Sequence, residues 1–309
     1  MIVERATRTA RCAIAATALG AAALIGTSIN AQDAGPEPLV EVEPGLYEGD
    51  TVVAVTDVQY ARVPGPDGAM RPLLFDAVFP ADAAEPLPIV VYLHGGAWQR
   101  GSRRDGYPVI GPLARSGAFA VTIDYRLLPD QYPAPLDDVY TLLRFLTEQA
   151  ETLHLDPNRV VLIGTTAGGH LATLAALAAN AELEDGAPAR PRVSGAIALS
   201  GSTDLADPAF GAVAQRIIDA WAADQRESAS PVSHVDADDP ALLLVHAADD
   251  PIVPASQAHR LAERMKAAGA RARVLIVEGE AHGVPLDACR DDVLAFMAEC
   301  FADRPPETP

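Results

Sequence analysis

The segment Gly164-Thr165-Thr166-Ala167-Gly168-Gly169-His170 follows the apolar run Val160 to Ile163 and precedes an alanine-rich stretch. That is the setting of a sharp strand-to-helix turn, which lifts one hydroxyl above a sheet where it can act as a nucleophile. Gly164 and Gly168 lie two residues either side of Thr166 and leave room where the backbone folds back. Thr166 is therefore the hydroxyl in register, because Thr165 lacks the flanking glycines. The helix start behind it offers free N–H groups and the positive end of the helix dipole. A phosphate loop is disfavoured, since no Gly-Lys-Ser/Thr follows. A glycine-rich helix start with capping threonines is the purely structural alternative.

Two further segments supply the partners such a hydroxyl needs. Leu93-His94-Gly95-Gly96-Ala97-Trp98 closes the apolar run Pro88 to Leu93, about 70 residues before the elbow. Glycines directly after a strand let backbone N–H groups turn towards a developing oxyanion, with one more from the residue after the nucleophile. The candidate donors are the N–H groups of Gly96, Ala97 and Ala167, each typically worth about 3 kcal/mol of barrier lowering. His94 reads as a residue that holds this loop rather than a proton shuttle. Trp98 is either a wall of the acyl site or core packing. The last pair is Asp250, in Asp250-Pro251-Ile252-Val253-Pro254, and His282, in Gly279-Glu280-Ala281-His282-Gly283. His282 would take the hydroxyl proton and return it to the leaving group, while Asp250 fixes the imidazole tautomer. Asp249 is the competing acid. The order hydroxyl, acid, histidine is not that of the two protease arrangements.

The other histidines read as structural. His154, His234 and His259 are surface or capping residues, His170 packs in the first turn after the elbow, and His246 ends a strand beneath the acid loop. No pair has metal-ligand spacing, and Asp236, Asp238 and Asp239 read as a solvated loop rather than a calcium site. Neither metal nor cofactor is called for.

The elements that must position these residues alternate along the chain. Thr51 to Val63 and Leu73 to Phe79 flank the turn Pro64-Gly65-Pro66-Asp67-Gly68 and predict an antiparallel hairpin. Apolar, β-rich runs come next at Pro88 to Leu93, Ala118 to Ile123, Val160 to Ile163, Val193 to Leu199, Ala241 to Val245 and Ala272 to Val277. Stretches with a period near 3.6 lie between most of them: Leu136 to Ala150, Ala167 to Leu183 and Ser256 to Ala268, with Leu286 to Phe301 last. Fully apolar strands alternating with helices predict a mostly parallel sheet covered on both faces. Ligands of such sheets sit at the carboxyl ends of the strands, where all three chemical segments fall.

Composition and charge bound the rest. A chain of 309 residues, 49% apolar and 21% charged, is that of a packed globular protein. Its formal charge of −19 excludes a protein that tracks nucleic-acid phosphates or docks on anionic lipid. Residues 1–31 have the layout of a secretory signal: Arg5, Arg8 and Arg11, then the apolar run Ala13 to Gly26, then Thr27-Ser28-Ile29-Asn30-Ala31 with a small residue before the cut, although Ile29 is a less usual residue two places before it. The run of about 14 residues is short of the roughly 20 that a bilayer span needs. Export to the periplasm or medium with cleavage near Ala31 is expected, an uncleaved anchor being the alternative, and the mature chain would not associate with membrane. Residues 32–50 form a lead-in, 51–302 the folded domain and 303–309 a flexible tail. Cys289 and Cys300 would remain after export. Eleven residues apart, they are about 16 Å from each other on a continuous helix, so a bridge requires Cys289 to precede the last helix. Two buried free thiols are the alternative.

Several segments together carry a resemblance. They are His94-Gly95-Gly96-Ala97-Trp98, Asp124-Tyr125-Arg126-Leu127, Asp156-Pro157-Asn158-Arg159-Val160, the elbow, Ser230-Pro231-Val232, Asp250 to Pro254 and Gly279 to Gly283. From about residue 50 to 301 the chain resembles the α/β-hydrolase superfamily, in the carboxylesterase branch related to hormone-sensitive lipase and the bifunctional feruloyl/acetylxylan esterases. The His-Gly-Gly-x-Trp segment is also similar to that of kynurenine formamidase and prenylcysteine methylesterase. The resemblance implies an α/β-hydrolase fold with a small or absent cap, a small-molecule ester as substrate, and hydrolysis through an acyl-enzyme without cofactor.

The family places serine where this chain has Thr166. A secondary hydroxyl can be acylated, but the elbow strains its residue in a conformation poor for a β-branched side chain. A misplacement near 1 Å can lower a rate about a hundredfold. The expectation is a slow esterase, with a non-catalytic ligand-binding protein on the same scaffold as the alternative. Between Ser200 and Ala241 the one helical stretch, Phe210 to Gln225 with Trp221, predicts a small cap and short-chain or aromatic acyl esters rather than long lipids.

Overall fold

The computed structural model describes residues 52–180, 191–279 and 282–302. The expected signal, lead-in and tail lie outside the described residues. Strand β1 (Val52–Pro64) and β2 (Met70–Pro80) pair as an antiparallel hairpin through the predicted turn. Then come β3 (Leu87–Leu93), helix α1 (Tyr107–Arg115), β4 (Phe119–Ile123), α2 (Ala134–Glu148), β5 (Leu155–Thr165) and α3 (Ala167–Leu177). The remainder is β6 (Gly195–Leu199), α4 (Ala212–Ala222), β7 (Ala241–Ala247), α5 (Ser256–Ala268), β8 (Ala272–Val277) and α6 (Arg290–Ala302). One eight-stranded sheet runs β1-β2-β4-β3-β5-β6-β7-β8, with β2 antiparallel to β4 and every later pairing parallel. This is the α/β-hydrolase arrangement.

The core forms in two layers because strand side chains alternate. Ile89, Val91 and Leu93 of β3 face one side with Leu136 of α2, Leu171 of α3 and Leu261 of α5. Val90 and Tyr92 face the other side with Ile110 and Leu113 of α1 and Phe296 and Met297 of α6. Both faces of the central strands are thus apolar, which is why they read as continuous hydrophobic runs.

Register aligns the strand ends that matter. Leu93 pairs with Gly164, Thr165 with Leu199, Leu199 with Val245, and Ala247 with Val277. The loops after β3, β5, β6, β7 and β8 therefore leave the same rim.

The main departures from the sequence-based expectations concern three helices. Helix α1 has no counterpart among the predicted helices, because Gly106, Pro108, Gly111 and Pro112 read as breakers. Pro108 is tolerated in the first turn, and the buried face of Val109, Ile110 and Leu113 offsets the hydrogen bond lost at Pro112. Helix α3 stops at Leu177 and passes into a 3-10 turn, Ala178–Asn180; residues 181–183, the end of the predicted helix, lie outside the described residues. The last helix starts at Arg290 rather than Leu286, after a separate 3-10 turn, Leu286–Ala288. Cys289 thus precedes that helix, as a bridge would require, but both cysteines are buried and carry no disulfide, which is the second of the two outcomes the sequence left open. Burial pushes the Cys289 thiol up to about 11, well away from reactive thiolate.

Candidate active site

The elbow is built by close backbone approach. Gly168 packs so tightly on the end of β3 that a Cβ there would lie 1.9 Å from the Leu93 carbonyl oxygen. A Cβ on Gly164 would meet the Gly168 carbonyl at 2.3 Å. Between them Thr166 takes φ +51° and ψ −108°, a conformation L residues rarely adopt. Its N–H donates to Leu199 O at 2.8 Å and its carbonyl accepts His170 N–H at 2.9 Å, so strand β6 and helix α3 hold it from both sides. The Thr166 hydroxyl oxygen accepts the Ala167 N–H at 2.5 Å. Among the described residues it makes no hydrogen bond to His282.

The loop after β3 turns through three consecutive left-handed residues: Gly96 at φ +118°, Ala97 at +57° and Trp98 at +57°. Gly96 O accepts the N–H groups of Gln99 and Arg100, while the Gly96 and Ala97 N–H groups donate to nothing among the described residues. Gly95 lies against the elbow: a Cβ there would sit 3.3 Å from Thr166 Oγ1. His94 is buried, donates its Nδ1–H to Gly95 O at 2.7 Å, and stacks on Tyr125 with ring centroids 4.3 Å apart. Burial lowers its pKa, so it holds the loop as a neutral ring. The Tyr125 hydroxyl donates to His94 O at 2.7 Å, which gives the Asp124-Tyr125-Arg126 segment a task in bracing this loop.

The far end of the same loop is pinned by Arg103, which no motif in the sequence marks. Its Nε–H donates to the fully buried Asp76 at 2.9 Å, its Nη1–H to Asp124 at 2.6 Å, and Nη2 also pairs with Asp57. Burial alone would lower the guanidinium pKa, but Asp76 and Asp124 override it and push it further up. Charge-paired neighbours drawn from β1, β2 and the end of β4 are far apart in sequence, so no local pattern gives them away. Trp98 itself stacks on Trp221 of α4 with centroids 4.4 Å apart and planes at 12°. His170 meets both indoles edge-on and is held by Ala229 O at 2.7 Å.

Asp250 and His282 come together across β7 and β8. The imidazole Nδ1 lies 2.9 Å from Asp250 Oδ2 and 3.0 Å from Oδ1. Oδ1 also accepts the N–H groups of Ile252 and Val253 at 2.9 and 3.0 Å. Burial would raise the Asp250 carboxyl, but these hydrogen bonds, above all the one from His282, outweigh it and hold it below the ordinary carboxylate range. The Asp250 side chain is fully buried, while that of His282 keeps 21% of its surface exposed. Asp249 is exposed and uses its N–H on Gly279 O; its side chain does not meet the imidazole. His246 donates Nε2–H to Val253 O at 2.8 Å beneath the acid loop. An imidazole anchored through Nδ1 on a carboxylate presents Nε2 for proton transfer.

The His282 loop lies against the elbow. A Cβ on Gly283 would be 3.3 Å from Thr165 Cγ2 and 3.7 Å from Thr166 Cγ2. Thus the structure brings Gly95, Thr166 and Gly283 to one spot at the rim and pairs His282 with Asp250 beside it. No group of His, Cys, Asp and Glu suited to a metal occurs among the described residues. In the loop read as solvated, Asp239 is half-buried, and burial pushes its pKa up to about 6.

The BD-FAE family profile matches residues 75–265. Esterase LipC of Mycobacterium tuberculosis is 32% identical over 241 residues, which are 71% of this chain and 59% of LipC. Carboxylesterase NlhH of the same organism is 38% identical over 104 residues, 32% of this chain and 31% of NlhH. The chain thus spans less than two thirds of these relatives. Among solved structures, a truncated carbohydrate esterase from gut microbiota superposes with a TM-score of 0.70 at 23% identity, covering 82% of this chain and 99% of that one. Propionate-bound esterase 2 of Thermogutta terrifontis gives 0.67 at 25% identity, over 81% and 94%.

Proposed function

The chain belongs to the BD-FAE family of α/β-hydrolase carboxylesterases, and from that premise we propose that it hydrolyses short-chain or aromatic acyl esters through Thr166, His282 and Asp250. The observation that carries this reading is the buried Asp250 carboxylate holding His282 Nδ1 at 2.9 Å, in a loop that touches the elbow. In the proposed reaction Thr166 Oγ1 attacks the acyl carbon as His282 Nε2 takes its proton. Asp250 keeps Nδ1–H and balances the imidazolium charge. The Gly96, Ala97 and Ala167 N–H groups receive the oxyanion. The ester C–O bond then breaks as the imidazolium returns the proton to the departing alcohol, and water cleaves the acyl-threonine by the same path. The small α4 region packed on Trp98 supports a short-chain or aromatic acyl group over a long lipid chain. Export after cleavage near Ala31 is part of the proposal, supported by the layout of residues 1–31; sequencing the amino terminus of exported protein tests it, and an intact residue 1 contradicts it.

One observation favours a second reading, a ligand-binding protein on this scaffold. The Thr166 hydroxyl is turned to the Ala167 N–H, one of the three proposed oxyanion donors, and not to His282. Steady-state hydrolysis of p-nitrophenyl acetate separates the two. The esterase reading expects turnover that falls at least about a hundredfold in His282→Ala. Equal rates in parent and variant, with thermal stabilisation by an ester or acid, establish the binder instead.

A further inference from the structure

Ser200 is the first residue beyond β6, fully buried, with φ +56°. Glycine takes this left-handed conformation without strain, and serine does not. An L residue kept there points to something its side chain does. Its N–H donates to Val245 O at 2.8 Å, which fixes its main chain on β7. Its hydroxyl oxygen accepts two N–H groups from the loop that carries His282: Gly283 at 3.2 Å and Val284 at 3.3 Å. One residue back, Leu199 O accepts the Thr166 N–H. One residue on, Gly201 packs on the turn after the elbow, where a Cβ would lie 3.0 Å from the Gly169 carbonyl carbon and 3.1 Å from His170 N. Three consecutive residues therefore touch both the elbow and the histidine loop.

We propose that Ser200 is a positioning residue for His282: its hydroxyl anchors the Gly283 and Val284 backbone and so sets the imidazole at a fixed place relative to Thr166. Asp250 holds the ring at Nδ1 alone, and a ring held at one atom can still swing about that bond. An anchor on the adjacent backbone removes this freedom, and a shift near 1 Å is enough to matter for proton transfer. The activity arm of the test rests on the esterase reading above.

Ser200→Gly separates the hydroxyl from the backbone corner, because glycine relieves the strain at φ +56° while deleting the oxygen. Ser200→Ala deletes the oxygen and keeps the strain. The proposal expects both variants to lose kcat on p-nitrophenyl acetate at least about tenfold with KM held within about twofold. The proton resonance of the His282 Nδ1–H bonded to Asp250 should broaden in both. A Ser200→Gly variant with parental kcat and a sharp parental resonance overturns the proposal. If the parent shows no hydrolysis sensitive to His282→Ala, the esterase reading fails, and the resonance in Ser200→Gly still decides the role of Ser200.

Discussion

At residue 166 a β-branched side chain occupies a backbone conformation that punishes it. With φ +51°, Thr166 has its methyl 3.4 Å from where a Gly95 Cβ would be and 3.7 Å from where a Gly283 Cβ would be. In the proposed reaction that methyl competes with the acyl group for the space beside Gly95 and Gly283, and the hydroxyl is left on the Ala167 N–H. Thr166→Ser removes the methyl and frees the rotamer. It should raise kcat on p-nitrophenyl acetate by at least about tenfold. An unchanged or lower rate would show that the methyl is not the obstacle. The register of Thr166 was legible from its flanking glycines, since close approach demands them. The direction of its hydroxyl was not, because a rotamer at a strained φ depends on Gly95 and Gly283, neighbours that lie far away in the sequence.

Among the elements, the strands announced themselves and the connections that hold the site did not. Short, β-branched apolar runs such as Val160 to Ile163, bounded by Pro157 and Gly164, read as buried strands. Helix α1 hides behind Pro108 and Pro112, and the bracing by Arg103, Asp76 and Tyr125 joins positions that no periodicity links. The same holds for the stack of Trp98 on Trp221, which ties α4 to a loop carrying two consecutive non-glycine residues at positive φ. Such conformations persist only when their surroundings over-determine them. Trp221→Ala removes a fully buried indole and should destabilise the fold by about 3–5 kcal/mol, seen as a lower denaturant midpoint. Because the Ala97 N–H then loses its fixed aim, kcat should fall further than Trp221→Phe lowers it, at temperatures where both are folded. Equal kcat in the two variants would detach the stack from the loop.

For the molecule as a whole, buried histidines make stability depend on pH. Burial holds His170 down to about 4, against about 6.5 in an unfolded chain. Below pH 6.5 the unfolded chain takes up a proton that the folded one refuses until about pH 4. Stability is thus present above about pH 6.5 and is lost through that window by about 3 kcal/mol. His94 and His246, also lowered by burial, act in the same direction. Asp239, raised to about 6, acts oppositely, losing stability as pH rises through 6. Tm should therefore fall from about pH 7 to about pH 4.5, and Asp239→Asn should raise Tm at about pH 8 but not at about pH 4. A flat profile, or a gain at both pH values, would contradict these assignments. The proposed hydrolysis depends on the convergence of segments spread from Gly96 to His282 upon one hydroxyl. Its most direct test is to treat the protein with a fluorophosphonate probe and map the adduct by peptide mass. A covalent adduct on Thr166 that disappears in His282→Ala is the predicted result. Absence of any adduct on Thr166, or labelling indifferent to His282, would contradict it.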